Sequence, residues 1–481
     1  MSDGRTLSGE PRLDQVLGGG IPRNAIVMLM GQPGAGKTIL AQQYLFKNAS
    51  KDRPGLYLTT ASEPVEKVLR YGQTLDFFDA DAVGGSVFYE SLAGVLSEKG
   101  PQGIFDRIEH LIKERKPGIL VVDSYKAIHT YTDRHDGNLR DLTHRLGSML
   151  SAFPVTTFLL GEYTSNDVAR YPEFAVADAI ISLEVTRTSQ REKRDLQVVK
   201  LRGSGFLSGH HAYRIGNAGL RVFPRLADPR DVEEYDSRTD RLASGVDGLD
   251  RMMDRGIRAG SSTLVLGPAG SGKTLLGLHF ILAGAARGEP GLIATFQENP
   301  VQLNDVLKGF GWSLDPDKVE LMYRAPVDLH IDEWVYDLLD TVKQGPAQRV
   351  LIDSLGDLRL AAGDKVRFRE YMYSILQRLS RTGTTLMMTD ELARLTGDGL
   401  TSDPVISHLS DNVVHLGVQT YSPQLIRAVS VLKTRGTSHD AARRQYEITS
   451  EGFEIGEPAD LVAGDTRRRS GSDRPNSSGE G

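Results

Sequence analysis

Along the whole chain, short apolar runs alternate with longer stretches in which apolar residues recur at helical spacing. In the first half the apolar runs are AIVMLM (25–30), GLYLTT (55–60), ILVVD (119–123) and TTFLLGE (156–162). In the second they are STLVLG (262–267), GLIATF (291–296), RVLIDS (349–354) and TTLMMTD (384–390). Runs of this length without strict alternation predict strands buried on both faces. The stretches between them, such as TILAQQYLFKNA (38–49), predict helices. Strands that alternate with helices predict an α/β fold with a mostly parallel sheet flanked by helices. In such sheets ligands bind at the carboxyl ends of the strands, where the polar residues of this chain collect.

The pattern occurs twice. SGEPRLDQVLGGGIPRNAIVMLMGQPGAGKT (8–38) is echoed by SGVDGLDRMMDRGIRAGSSTLVLGPAGSGKT (244–274). Leu13-Asp14 stand 236 residues before Leu249-Asp250, as Lys37 does before Lys273. VVDS and LIDS, ending at Ser124 and Ser354, lie 230 apart, and KLRGS (200–204) and KTRGT (433–437) lie 233 apart. A spacing this long marks a duplicated domain rather than a solenoid repeat. We expect one domain over 1–230 and a second over 231–458, joined by a polar linker within 226–240. The tail, 459–481, is rich in Gly, Ser, Arg and Asp and is expected to be disordered.

Composition narrows the setting. The 481 residues carry a formal charge of −6 and no cysteine, which excludes a disulfide framework and a cysteine zinc site. No run of about 18 apolar residues predicts a membrane span, and the polar start MSDGRTLSGE lacks a signal-peptide core. A cytoplasmic protein with no membrane partner is expected. The acidic balance does not suggest a nucleic-acid partner, which usually calls for a basic footprint.

Two segments carry explicit chemistry. Gly31-Gln-Pro-Gly34-Ala-Gly36-Lys37-Thr38 and Gly267-Pro-Ala-Gly270-Ser-Gly272-Lys273-Thr274 both fit G-x-x-x-x-G-K-[ST]. Glycines at these positions let backbone N–H groups face phosphate oxygens, and the following helix adds its positive end. Lys37 and Lys273 are expected to reach the β/γ-phosphates of ATP, and Thr38 and Thr274 to hold Mg²⁺. Asp123 and Asp353 close the strands ILVVD and VLID, the place of the acid that holds Mg²⁺ directly or through water. The group that activates water is expected at the end of the strand after the phosphate-loop helix, where the second half has Gln297-Glu298. Glu298 is the candidate base, and Gln297 a water-orienting amide. Aligned on the following proline, the first half has Ala61-Ser62, with Glu63 one residue further on. The first site is therefore expected to bind ATP and hydrolyse it slowly.

Together these residues resemble the KaiC family of ATPases over about residues 5 to 455: the S-G-x-x-x-L-D opening, both phosphate loops, both Asp-Ser strand ends and K-x-R-G-[ST] twice. The resemblance implies two RecA-like domains and a homo-oligomeric ring, a hexamer. It also implies that Lys200/Arg202 and Lys433/Arg435 reach a neighbour's γ-phosphate, which would neutralise transition-state charge. The departures are specific. The family's Glu-Glu pair is Gln297-Glu298 here, and its adjacent Ser-Thr phosphoacceptors become Ser407-His408. Autokinase activity is then expected at most on Ser407 or Ser410. The resemblance points to a signalling ATPase that acts on another signalling protein rather than to a circadian timer. A non-catalytic ATP-gated scaffold and a RecA-like nucleic-acid motor are the alternatives, the latter opposed by the acidic balance and by the lack of a basic aromatic loop.

Overall fold

The computed structural model describes residues 4–60, 64–134, 139–187, 192–226, 239–345, 347–392, 404–421 and 424–458. Ala61, Ser62, Glu63 and the tail from 459 lie outside the described residues. The chain divides into two compact units, Met1–Arg225 and Leu226–Gly481.

In the first unit nine strands form one sheet: β1 (Ile26–Gly31), β2 (Gly55–Thr59), β3 (Val87–Ser91), β4 (Ile119–Asp123), β5 (Thr156–Gly161), β6 (Ala179–Arg187), β7 (Glu192–Leu201), β8 (His210–Gly216) and β9 (Gly219–Phe223). Their order is β9-β8-β7-β6-β1-β5-β4-β2-β3. From β6 to β3 all neighbours are parallel, and β7, β8 and β9 continue from β6 as an antiparallel meander. Alternate residues of β1 feed opposite cores. Val27 and Leu29 pack in the cluster of Leu40, Tyr44 and Val121, whereas Met28 and Met30 join Ile104, Ile108 and Leu120. Burial on both faces is why these strands read as unbroken apolar runs. Two helices flank the polar segments of this unit: α1 (Lys37–Asn48) leaves the first phosphate loop, and the single turn α2 (Glu173–Val176) precedes β6.

The second unit repeats this plan. Its strands are β10 (Ser262–Gly267), β11 (Gly291–Thr295), β12 (Val319–Tyr323), β13 (Arg349–Asp353), β14 (Thr385–Glu391), β15 (Asn412–Tyr421), β16 (Gln424–Thr434), β17 (Arg444–Thr449) and β18 (Gly452–Pro458). The order β12-β11-β13-β14-β10-β15-β16-β17-β18 is the same topology, again six parallel strands and an antiparallel edge. Helix α3 (Lys273–Ala285) follows its phosphate loop, and α4 (Pro404–Leu409) precedes β15. Both units are thus RecA-like, with mostly parallel sheets flanked by helices. Among the described residues no helix is long and apolar enough to cross a membrane.

Candidate functional site

Each phosphate loop joins the central strand, β1 or β10, to a helix of 12 or 13 residues. The last glycine of the loop caps that helix in the left-handed region, Gly36 at φ 94° and Gly272 at φ 86°. A Cβ on Gly36 would sit 2.5 Å from Ile215 Cδ1, and one on Gly272 2.9 Å from Ile448 Cδ1, contacts a flexible isoleucine end could relieve, so it is the left-handed backbone that calls for glycine. The helix then starts with its N–H groups turned toward the loop, which makes an anion-binding end. Gly34 and Gly270 are also left-handed, at φ 76° and 73°.

Lys37 and Lys273 fold over their own loops. Lys37 Nζ donates to the carbonyls of Gly31 and Gln32, each at 3.0 Å, and Lys273 Nζ to Pro268 O at 2.9 Å. Burial holds both ammonium groups below the usual lysine range. Nearby carboxylates oppose this: Glu162 and Asp123 at the first site; Glu391, Asp353 and Asp390 at the second. In the first turn of each helix, the threonine hydroxyl donates to the acid at the end of β4 or β13, the strand one beyond the phosphate-loop strand's neighbour. Thr38 Oγ1 lies 2.9 Å from Asp123 Oδ2, and Thr274 Oγ1 lies 2.7 Å from Asp353 Oδ2. A hydroxyl and a carboxylate so paired are hard oxygen donors, and this donor chemistry suits Mg²⁺.

Glu298 follows β11 on a turn fixed by the next helix, Pro300–Gly309. There Asn299 Oδ1 accepts from the backbone N–H groups of Val301 and Gln302, both at 3.0 Å, and the Gln302 side chain caps Asn299 N in return. Glu298 Oε2 is buried with no hydrogen-bond partner among the described residues. Burial, and then the Asp353 carboxylate, push the Glu298 carboxyl above the usual carboxylate range. Gln297 turns elsewhere: its Nε2 donates to Asp357 Oδ2 at 3.1 Å.

The K-x-R pairs stand at the other end of the sheets. In the first unit Gly31 is level with Leu183, whereas Lys200 is level with Ile180, on the amino-terminal side of β6. Three residues of strand, about 10 Å in all, and two strand spacings, together about another 10 Å, separate Lys200 from its own phosphate loop. Lys200 Nζ donates to the carbonyls of Phe174 and Ala175 at 3.2 and 3.4 Å, and Arg202 pairs with Asp178 at 3.5 Å. The second unit matches. Lys433 is level with Val413 and donates to Ser407 O, His408 O and Ser410 O at 3.0, 3.3 and 2.5 Å, and Arg435 pairs with Asp411 at 3.6 Å. Burial lowers the pKa of both lysines, helped by the adjacent Arg202 or Arg435 and opposed by Asp178 or Asp411. A β-bulge precedes each lysine and turns an apolar residue outward, Val199 at 38% and Leu432 at 42% exposure. Of the two serines, Ser410 is buried with its hydroxyl on Ile406 O at 2.9 Å, and Ser407 is half-buried.

Sequence reasoning missed several neighbours of these sites. Glu162 and Glu391 follow or end the strand beside the phosphate-loop strand, and their one signal was a carboxylate closing an apolar run. Arg194 Nη1 donates to Gly34 O at 2.8 Å from inside β7, where a strand of mixed charge gives no hint of a target. Tyr57 and Thr389, which hold the two strand-end aspartates, read as ordinary strand residues.

Comparison with known proteins agrees with this geometry. A family model described as "ATPase: KaiC" matches residues 7–227 and again 242–460. The circadian clock protein KaiC3 of Synechocystis sp. is 27% identical over 475 residues, which is 95% of this chain and 92% of that protein. The circadian clock oscillator protein KaiC of Picosynechococcus sp. is 27% identical over 463 residues, 92% of this chain and 88% of its own length. With one copy of the family model lying on each phosphate-loop unit, the chain belongs to the KaiC family of ATPases.

Proposed function

We propose that this KaiC-family ATPase works as a ring of identical subunits, a hexamer, in which each nucleotide lies between one copy's phosphate loop and the next copy's K-x-R pair. One observation carries this reading: Lys200 and Lys433 lie at the amino-terminal end of sheets whose phosphate loops are at the carboxyl end. A basic motif that cannot meet its own nucleotide, yet occurs in both halves, has a use if a neighbour supplies the phosphate. Such a head-to-tail contact gives a ring when the rotation between copies closes, and a ring is the arrangement proposed here. The outward Val199 and Leu432 give that contact an apolar component next to each lysine.

At each site Lys37 or Lys273 trades loop carbonyls for β/γ-phosphate oxygens, which are stronger acceptors because they are charged. Thr38 with Asp123, and Thr274 with Asp353, would hold Mg²⁺, which neutralises developing phosphate charge. Glu298 takes the proton of the attacking water, a role its raised pKa suits. Gln297, tied to Asp357, steadies the turn that carries Glu298. The trans lysine and arginine stabilise the transition state, so hydrolysis depends on assembly. The first site serves mainly to bind ATP and hold the ring. Its output is an interaction with a signalling protein that reads the ring's nucleotide state, and Ser407 is a site for phosphate transfer within the ring. Sedimentation with a nonhydrolysable ATP analogue and Mg²⁺ tests the central claim. A large closed oligomer is expected, and a monomer at micromolar protein under every nucleotide condition would overturn it.

A further inference from the structure

The two strand-end aspartates are held from different strands. At the first site Asp123 Oδ2 accepts from Thr38 Oγ1 at 2.9 Å and also from the Tyr57 hydroxyl at 2.6 Å. Tyr57 is fully buried in β2, its ring stacked on Tyr89 at 5.2 Å. At the second site the matching residue of β11 is Ile293, an apolar side chain in the core, and the second donor to Asp353 is the hydroxyl of Thr389 on β14. The residue of β5 that matches Thr389 is Leu160, also apolar and buried. Each site thus has two hydroxyls on its aspartate, but the second one comes from the strand on the opposite flank.

We propose that Tyr57 is a positioning residue of the first nucleotide site, and that its hydroxyl fixes the Asp123 carboxylate and so sets that site's affinity for the divalent cation. The inference rests on the reading of Thr38 and Asp123 as the cation-holding pair. A buried carboxylate needs donors to keep its charge, and the direction of those donors decides which oxygen faces the phosphates. Tyr57 gives both with a rigid, fully buried side chain whose hydroxyl lies 2.6 Å from Asp123 Oδ2. Tyr57 also sits two residues before the end of β2, the strand that leads into Ala61-Ser62-Glu63. At the first site, therefore, the cation-holding acid is tied to the strand that carries the altered hydrolytic segment. At the second site the extra hydroxyl on Asp353 comes from β14 instead, a strand that does not lead into Gln297-Glu298.

The test uses full-length protein with Lys273→Ala, so that only the first site binds nucleotide. Bound Mn²⁺ is counted by electron paramagnetic resonance in the presence of a nonhydrolysable ATP analogue, and cation-free analogue binding is measured in EDTA. Tyr57→Phe keeps the ring and its stacking. It should weaken Mn²⁺ binding about tenfold, the size of effect seen when a partner of a metal ligand is removed, with cation-free binding unchanged. Tyr71→Phe, at an exposed tyrosine of the same unit, should change neither. Mn²⁺ affinity within twofold of the parent, or an equal loss of cation-free binding, would overturn the role assigned to Tyr57. If the parent itself binds no nucleotide-dependent Mn²⁺, the reading of Thr38 and Asp123 fails as well.

Discussion

The ammonium group of Lys433 lies 3.0 Å from the carbonyl oxygen of Ser407. The same ammonium also meets the carbonyls of His408 and Ser410, so it closes the carboxyl end of α4, where a cation is favoured. Lys200 holds Phe174 and Ala175 in the same way, at the same 233-residue offset. A lysine drawn toward a neighbour's phosphate must give up these carbonyls. In the proposed ring, engagement of a neighbour's phosphate and the conformation of the segment that carries Ser407 would therefore be linked through one side chain.

That link makes the lysines testable across subunits. Lys433→Ala should lower second-site turnover by roughly 10³-fold, the scale of a lost trans cation, and leave nucleotide binding within a few-fold of the parent. Lys273→Ala should be inactive at the same site for the opposite reason. Mixed in equal amounts and assembled with ATP, the two inactive proteins should recover activity at about a quarter of the interfaces, because random assortment in a head-to-tail ring pairs an intact loop with an intact lysine that often. Steady-state turnover of the mixture reads this out. No recovery, with mixed rings demonstrated, would mean that Lys433 serves its own subunit.

Glu298 predicts opposite effects on turnover and stability. Glu298→Gln should reduce second-site turnover by about 10²- to 10⁴-fold, the usual contribution of a positioned base. In the parent the acid limb of the rate profile should lie above the ordinary carboxylate pKa of about 4.3, because burial and Asp353 raise the Glu298 pKa. The same shift means that folding disfavours the charged form. The penalty is full above the folded pKa and vanishes below the unfolded one. Glu298→Gln should therefore raise the thermal midpoint near pH 7, and the gain should fade as the pH falls toward about 4. A midpoint unchanged or lowered at pH 7 would contradict the unpartnered, buried state of Glu298 Oε2.

The phosphate loops, their strands and the duplication were legible because they depend on local rules. Gly36 and Gly272 need a left-handed backbone, and Thr38 and Thr274 follow at fixed spacing, so a short window of sequence contains the whole device. Glu298 was legible for a similar reason: Asn299-Pro300 announces a helix start and so marks where β11 ends. What was not legible depends on register across strands. That Tyr57 meets Asp123, 66 residues on, follows from β2 lying beside β4, and nothing in GLYLTT says so. The place of Lys200 at the far end of the sheet became visible only with the pairing of β6 and β7, including the bulge at Val199. Gln297 was found by its position after β11, but its amide contact with Asp357, a partner 60 residues away, was not visible in the sequence.

The two phosphate loops should fail differently. Lys273→Ala should remove most ATP turnover, since the hydrolytic carboxylate is on that side. Lys37→Ala should mainly weaken assembly, because nucleotide bound at the first site stabilises the ring by mass action. Sedimentation and turnover measured on the same samples separate the two effects. Equal loss of turnover from Lys37→Ala in an intact ring would make the first site a full catalyst.

Phosphate transfer within the ring, if it occurs, should fall on Ser407 and not on Ser410. The Ser410 hydroxyl is buried and committed to Ile406 O, so it would have to leave the core before meeting a nucleotide. Ser407 is half-buried, and its carbonyl accepts from Lys433, the residue proposed to engage a neighbour's phosphate. An attacking hydroxyl must approach the γ-phosphate in line, and in the proposed ring Glu298 of the neighbouring copy would be the base that accepts its proton. His408, where the family has threonine, makes a second stable phosphate on that helix unavailable. Mass spectrometry after incubation with Mg-ATP should therefore show one phosphate at most on residues 404–412, lost in Ser407→Ala and retained in Ser410→Ala. Lys433→Ala should abolish it too, since the lysine both aligns the phosphate and governs the helix. Phosphate on Ser410 would mean that this segment opens well beyond the release of Lys433, and an unmodified segment in protein that still turns over ATP would leave hydrolysis as the chemistry of the second site.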